Sequence, residues 1–311
     1  MANTYHIIAF LTVAVWGTTF VWTKLLINNG ISPAQIFTMR FIIAYVLLLG
    51  FSLLRPHFLR KKLETSEPEK WKKVQHRWLA GNWRDELIMA ALGITGGSMY
   101  FLSENEALRF TTATNVSLIV CSCPLFATLI IGLKYKSERF RPLQIAGSLL
   151  ACLGMAIVVL NGHFVLHLSP LGDTLAFGAC LCWACYSLLM KPVMDRYPAM
   201  FITRKVFFYG ILTIMPYYLF VPGMPPMEVL LRPAVIANLL FLGSVASMLC
   251  YLTWSLCMAR LGAVRCTNWV YLNPITTIVF AAIILGEQIT IYFLVGTVFI
   301  LLGLYLSNKK L

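Results

Sequence analysis

YHIIAFLTVAVWGTTFVWTKLLI, residues 5–27, decides the fold. One lysine, Lys24, is its only Lys, Arg, Asp or Glu. An α-helix of about 20 apolar residues crosses the hydrocarbon core of a bilayer. The stretch has no charged segment before it and no small-residue cleavage site, and it is too long for a signal-peptide core. It is therefore expected to be a retained first membrane helix. Blocks of the same length recur along the 311 residues, of which 59% are hydrophobic and 12% charged. Mean hydropathy is +0.78. A soluble chain of this length carries far more charge. Ten spans are expected, at roughly 5–27, 34–54, 86–107, 112–133, 142–160, 171–191, 199–220, 234–258, 264–285 and 290–307. The fold class is an all-α membrane protein.

Most connections are short and marked by Gly or Pro, as in Gly30-Ile31-Ser32-Pro33 and Gly223-Met224-Pro225-Pro226. Residues 55–85 differ. They hold nine Lys and Arg and read as a basic cytoplasmic loop, with an amphipathic piece around Trp71, Trp78 and Trp83 in the interface. With the N-terminus inside, 19 Lys and Arg fall at inner ends and three (Lys24, Arg109, Arg232) at outer ends. Positive residues stay on the cytoplasmic side, so both termini are expected in the cytoplasm of a cell (inner) membrane protein. This placement accounts for the net charge of +13. No stacking or phosphate-binding motif accompanies it, and nucleic acid is not an expected partner.

The two halves of the chain echo each other. Trp16 precedes Lys24 by the same eight residues that separate Trp183 from Lys191. Pro33 and Arg40 match Pro198 and Lys205, and Ala113 and Pro124 match Ala263 and Pro274. Glu138, Gly147 and Gly154 match Glu287, Gly296 and Gly303. Five spans per half is an odd number, so the second half must enter the membrane upside down. The expected domains are a five-helix repeat over 1–160, including the basic loop, and an inverted one over 161–311. Inverted repeats are a construction of secondary transporters, because equivalent halves can exchange inward and outward shapes. The four glycines form small-residue stripes on spans five and ten, expected to pack the repeats together, with a homodimer face as the lesser reading.

Trp16-Gly17-Thr18-Thr19-Phe20, Arg40-Phe41, Glu104-Asn105-Glu106-Ala107-Leu108, Pro124, Pro274 and Leu285-Gly286-Glu287 stand in an order that resembles the drug/metabolite transporter superfamily, EamA-type. The resemblance covers nearly the whole chain. It implies a ten-helix carrier, mostly an exporter of amino acids and related metabolites, with spans one, three, four, six, eight and nine lining a central cavity. Lys136-Ser137-Glu138 replaces the first-half Leu-Gly-Glu, and the basic loop is an insertion relative to the family pattern.

Polar groups in hydrocarbon cost several kcal/mol unless paired, so each one needs a reason. Glu104 and Glu106 point about 200° apart on a helix. Glu104, one turn after Tyr100, is the expected inward acid, for a substrate amine or a coupling proton; the alternative is an ion pair with Arg40 or Arg109. Arg40 could grip a carboxylate with two N–H groups or serve structure. Trp16, Trp183, Trp254, Tyr100 and Tyr251 suit an apolar pocket with polar edges. Asn115 and Asn273 are amides that either bond across helices or line a wet cavity, and Pro274 breaks its helix where backbone can meet ligand. Lys24, Lys191 and Lys205 are expected to snorkel to the headgroups. The nine cysteines, including the Cys182-x-x-Cys185 pair, read as packing residues, with no metal or cofactor expected.

Two other classes are weighed. An intramembrane enzyme needs a metal site, paired acids or an activated nucleophile, and the sequence has neither H-E-x-x-H nor G-x-S-x-G. A channel needs filter loops or charge rings, and neither is evident. The expected function is a secondary transporter that exports a small metabolite, an amino acid or a related compound, by alternating access, with a proton as the candidate coupling ion.

Overall fold

Prolines and short polar caps set where the helices begin. Pro33, Pro142, Pro170 and Pro233 each open a helix, where a missing N–H costs nothing. Asn82 accepts from the Asp85 N–H, and Ser169 from the Gly172 N–H. The computed structural model describes residues 2–66, 78–110, 116, 119–135, 142–160, 169–220, 223–285 and 289–308. Asn115, Ala113, Trp71, Glu138, Gly286 and Glu287 lie outside the described residues.

In chain order the helices are α1 (Ala2–Asn28), α2 (Pro33–Ser66), α3 (Trp83–Gly93), α4 (Met99–Phe110), α5 (Cys123–Lys134), α6 (Pro142–Leu160) and α7 (Pro170–Met194). There follow α8 (Ala199–Ile214), α9 (Met227–Leu230), α10 (Pro233–Leu240), α11 (Cys250–Leu261), α12 (Ala263–Thr267), α13 (Asn273–Leu285) and α14 (Ile291–Asn308). Among the described residues five helices are long and apolar enough to cross a membrane: Pro33–Leu54, Trp83–Ala107, Pro170–Met194, Ala199–Leu219 and Pro233–Leu261. Large apolar side chains such as Val46, Phe51, Leu133 and Ile283 stand exposed, as a lipid-facing surface requires.

Several elements depart from the expected pattern. The second helix continues beyond residue 54 to Ser66, into the basic stretch. Its Lys, Arg, Leu and Glu residues are good helix formers, so the loss of hydropathy does not end the helix. Two long spans are interrupted by π-helical segments, Ile94–Ser98 between α3 and α4 and Phe241–Leu249 between α10 and α11. Gly97 there leaves helical geometry, with φ −131° and ψ −107°. Pro216 lies in a 3-10 turn, Met215–Leu219, that follows α8. Before α5 the chain turns at Cys121-Ser122, and Pro124 sits in the first turn of the new helix. Likewise a 3-10 segment, Asn268–Leu272, precedes α13 and its Pro274.

The helices α6 and α14 run antiparallel in backbone contact. A Cβ on Gly154 would sit 2.6 Å from the Gly296 carbonyl and 2.6 Å from the Ile300 nitrogen. A Cβ on Gly147 would sit 2.6 Å from the Gly303 carbonyl. The glycine stripe is therefore covered within the chain and offers no face to a second copy.

At one end of the bundle a polar cluster joins α3, α7 and α8. Asp85 pairs with Arg196 at 2.8 Å and accepts from Tyr197 Oη at 2.7 Å. Burial, and then that bond, raise the Tyr197 phenol above its ordinary range, so it remains a donor. Glu86 pairs with Lys205 and accepts from Tyr209 Oη at 2.6 Å. Lys205 thus does not snorkel; it is 5% exposed and buried in an ion pair. At the opposite end Tyr217 Oη donates to Glu106 at 2.8 Å, and Tyr218 Oη shares a 2.8 Å bond with Thr38.

Candidate functional site

Midway between those ends the aromatic residues expected from the sequence meet. Trp16 of α1 lies edge-on to Trp183 of α7 (ring centroids 5.6 Å) and tilted against Trp254 of α11 (5.0 Å). Tyr251 is 5.7 Å from Trp16, and Tyr100 is 5.4 Å from Trp183. Helical spacing explains the gathering. Trp183 and Tyr186 are one turn apart, as are Tyr251 and Trp254, so each helix presents two rings on one face.

Two charges border this cluster. Glu104 is 7% exposed and accepts from Tyr100 Oη at 3.0 Å, one turn before it. Arg40 is 5% exposed; its Nε donates to Ser247 Oγ at 2.8 Å, and its guanidinium lies 5.1 Å from the Phe101 ring centroid. No ion pair joins Arg40 to Glu104 among the described residues; the Arg109 side chain, the other expected partner, lies outside them. Glu106 points elsewhere, to Tyr217, as the two-residue spacing requires.

Buried donors and acceptors are left over here. Trp183 Nε1 and Trp254 Nε1 are fully buried and have no partner among the described residues, and the same holds for Asn273 Oδ1. A buried polar group left unsatisfied costs about 1–3 kcal/mol, so the two indole N–H groups at one centre are a concentrated cost. Trp16 differs, because its Nε1 donates to the Ala246 carbonyl at 3.0 Å. Tyr251 differs too, its Oη donating to the Gly96 carbonyl at 2.8 Å. Both acceptors lie in the π segments, where irregular backbone leaves carbonyls free for side chains.

The structure brings together Trp16, Tyr100, Trp183, Tyr251 and Trp254, with Arg40 and Glu104 alongside. Asn273 sits apart on α13, where its carbonyl accepts from Thr276 and Thr277, both at 2.9 Å. Thr277 also donates to the Gly17 carbonyl, tying α13 to α1. Sequence reasoning missed Ser247 and Phe101, which hold Arg40, and both π segments. The glycines of Gly93-Ile94-Thr95-Gly96-Gly97 and Gly243 were the available signal.

A model of the EamA-like transporter family matches twice, over residues 3–160 and 170–309. The chain belongs to the EamA-like transporter family. It is a multi-pass membrane protein of the transporter class. This EamA-type chain is 24% identical over its whole length to an uncharacterized transporter of Archaeoglobus fulgidus, of which 99% is covered. It is 27% identical to a probable amino-acid metabolite efflux pump of Salmonella typhimurium, over 96% of this chain and 93% of that one. It is also 27% identical to a probable terminal-alkyne amino-acid exporter of Streptantibioticus cattleyicolor, over 73% and 74% of the two chains. A crystal structure at 17% identity shares the fold, with a TM-score of 0.73 over 99% of this chain and 98% of that one.

Proposed function

We propose that this EamA-type protein is a secondary exporter of amino acids or close relatives, working by alternating access. In this reading ten spans form two inverted repeats, 1–160 and 161–311, with both termini cytoplasmic in the inner membrane. The observation that carries it is the pairing pattern at the centre. Arg40 and Glu104 are both buried beside the aromatic centre, and each is held by neutral groups, Arg40 by Ser247 and Phe101 and Glu104 by Tyr100. A zwitterion fits such a pair, its carboxylate on the guanidinium and its ammonium on the carboxylate. The surrounding rings suit an apolar side chain, and the free indole N–H groups supply further donors. The names of the Salmonella and Streptantibioticus relatives point to the same substrate class.

Glu104 is also the group proposed to carry a coupling proton, since ionisable residues at membrane depth mark substrate or proton paths. Counterflow into liposomes holding the purified protein tests both parts. Saturable exchange of one amino-acid class is expected, lost in Glu104→Gln. No exchange across a full amino-acid panel, from folded protein, overturns the substrate class. Exchange in Glu104→Gln with unchanged pH dependence overturns the proton role.

A further inference from the structure

The two tryptophans at matching repeat positions are not in matching states. Trp16 Nε1 bonds to the Ala246 carbonyl, while Trp183 Nε1 is buried without a partner among the described residues. The repeat extends into the helices that carry the acceptors. Gly93 and Gly243 stand 150 residues apart, as do Pro124 and Pro274. Each of these two glycines is pressed against the repeat-related partner helix, Gly93 against Tyr209 of α8 and Gly243 against Ile43 of α2. On the same offset the π segment Ile94–Ser98 falls within Phe241–Leu249, and Ala246 corresponds to Gly96.

The equivalent bond, Trp183 Nε1 to the Gly96 carbonyl, is thus absent, and Tyr251 Oη holds that carbonyl instead. The helix bearing Trp183 is already beside it, since a Cβ on Gly96 would press into the ring of Tyr186, one turn from Trp183. Position 101, the counterpart of Tyr251, is Phe and cannot donate.

We infer that the indoles of Trp16 and Trp183 are a paired switch, each bonded to its π-segment carbonyl in only one of two access states. This rests on the alternating-access reading. When inverted repeats exchange shapes, the second state is the first with the repeats swapped. Trp183 then donates to Gly96, Trp16 releases Ala246, and Tyr251 gives up its bond. The two indole bonds offset each other between the states, while the Tyr251 bond favours the state described here, because Phe101 cannot replace it in the other.

Hydrogen–deuterium exchange of the full chain in nanodiscs, without substrate, tests this. Each Trp→Phe change keeps a ring and deletes the N–H. Trp16→Phe is expected to raise exchange at one end of the bundle, either that of Arg196 and Tyr197 or that of Tyr217 and Tyr218, and to lower it at the other. Trp183→Phe is expected to give the mirror pattern, each shifting the ratio of states on the order of fivefold. Tyr251→Phe should follow Trp16→Phe and carries that arm should Trp16→Phe not fold. Both Trp variants moving the same way, or folded variants that change nothing, overturn the switch. Counterflow on the same samples separates the two claims. Flux without mirrored exchange removes the switch alone, and mirrored exchange without flux removes the transport reading alone.

Discussion

The seam between α6 and α14 and the aromatic centre are built on opposite rules. At the seam, glycine lets backbone meet backbone, and Ser148, Ser307 and Asn268 bond side chain to side chain, with Asn268 Oδ1 left over among the described residues. Ser148 and Ser307 hydroxyls are 3.3 Å apart, and Asn268 Nδ2 donates to Ser307 Oγ at 2.6 Å. At the centre, large rings touch edge to face, and the indole N–H groups of Trp183 and Trp254 go unmatched among the described residues. In lipid no hydrophobic force draws helices together, so a permanent contact depends on close fit. The seam has that fit. The centre withholds it where a ligand or a second conformation can supply the missing partner.

Substitutions should divide along the same line. The largest effect is expected at the seam. Gly154→Leu would drive a side chain into the Gly296 carbonyl and the Ile300 backbone, neither of which can move alone. We expect a loss of about 3 kcal/mol or more, seen as failure to accumulate monodisperse protein. Normal yield and melting would show the seam to be adaptable.

Arg40→Ala and Glu104→Gln come next, and should separate activity from stability. Loss of a charge-assisted contact to substrate is expected to lower counterflow by about 30- to 100-fold, with the melting temperature little changed. Equal loss of folding in both would recast them as scaffold.

Asp85→Asn removes the carboxylate shared by Arg196 and Tyr197 at one end. A fall in stability of about 1–2 kcal/mol is expected, because Arg196 is half-exposed and keeps water. Thermal melting reads it, and no shift would mark the cluster as incidental. Ser148→Ala is the smallest, about 0.5 kcal/mol, since Ser307 retains its bond from Asn268. A larger loss would mean that the hydroxyl pair, not the glycines, locks the seam.

Much of this was legible in the residues. Hydropathy marked the apolar helices, five of them long enough to cross a membrane among the described residues, and the matched Trp, Pro and Gly spacings exposed the duplication because equivalent helices need equivalent kinks and close approaches. The aromatic centre was legible for the same reason, since Trp16 and Trp183 repeat. What one-dimensional pattern could not carry was pairing across helices. Lys205 read as a snorkelling cation because its partner, Glu86, lies on another helix 119 residues away. A pair between Arg40 and Glu104 was one alternative that charge alone suggests, whereas Ser247 and Phe101 hold Arg40. The π segments keep helical periodicity within a residue or so, and hydropathy does not register them.

The central claim is that the centre grips both charges of a zwitterion at once. Its most direct test is competition during counterflow of a labelled amino acid with a large apolar side chain. The competitors are the same compound lacking its carboxylate and the same compound lacking its ammonium. The account predicts that the intact amino acid competes at least about tenfold better than either, and that Arg40→Ala and Glu104→Gln erase the advantage over the first and the second respectively. Equal competition by an amine or an acid alone would contradict it.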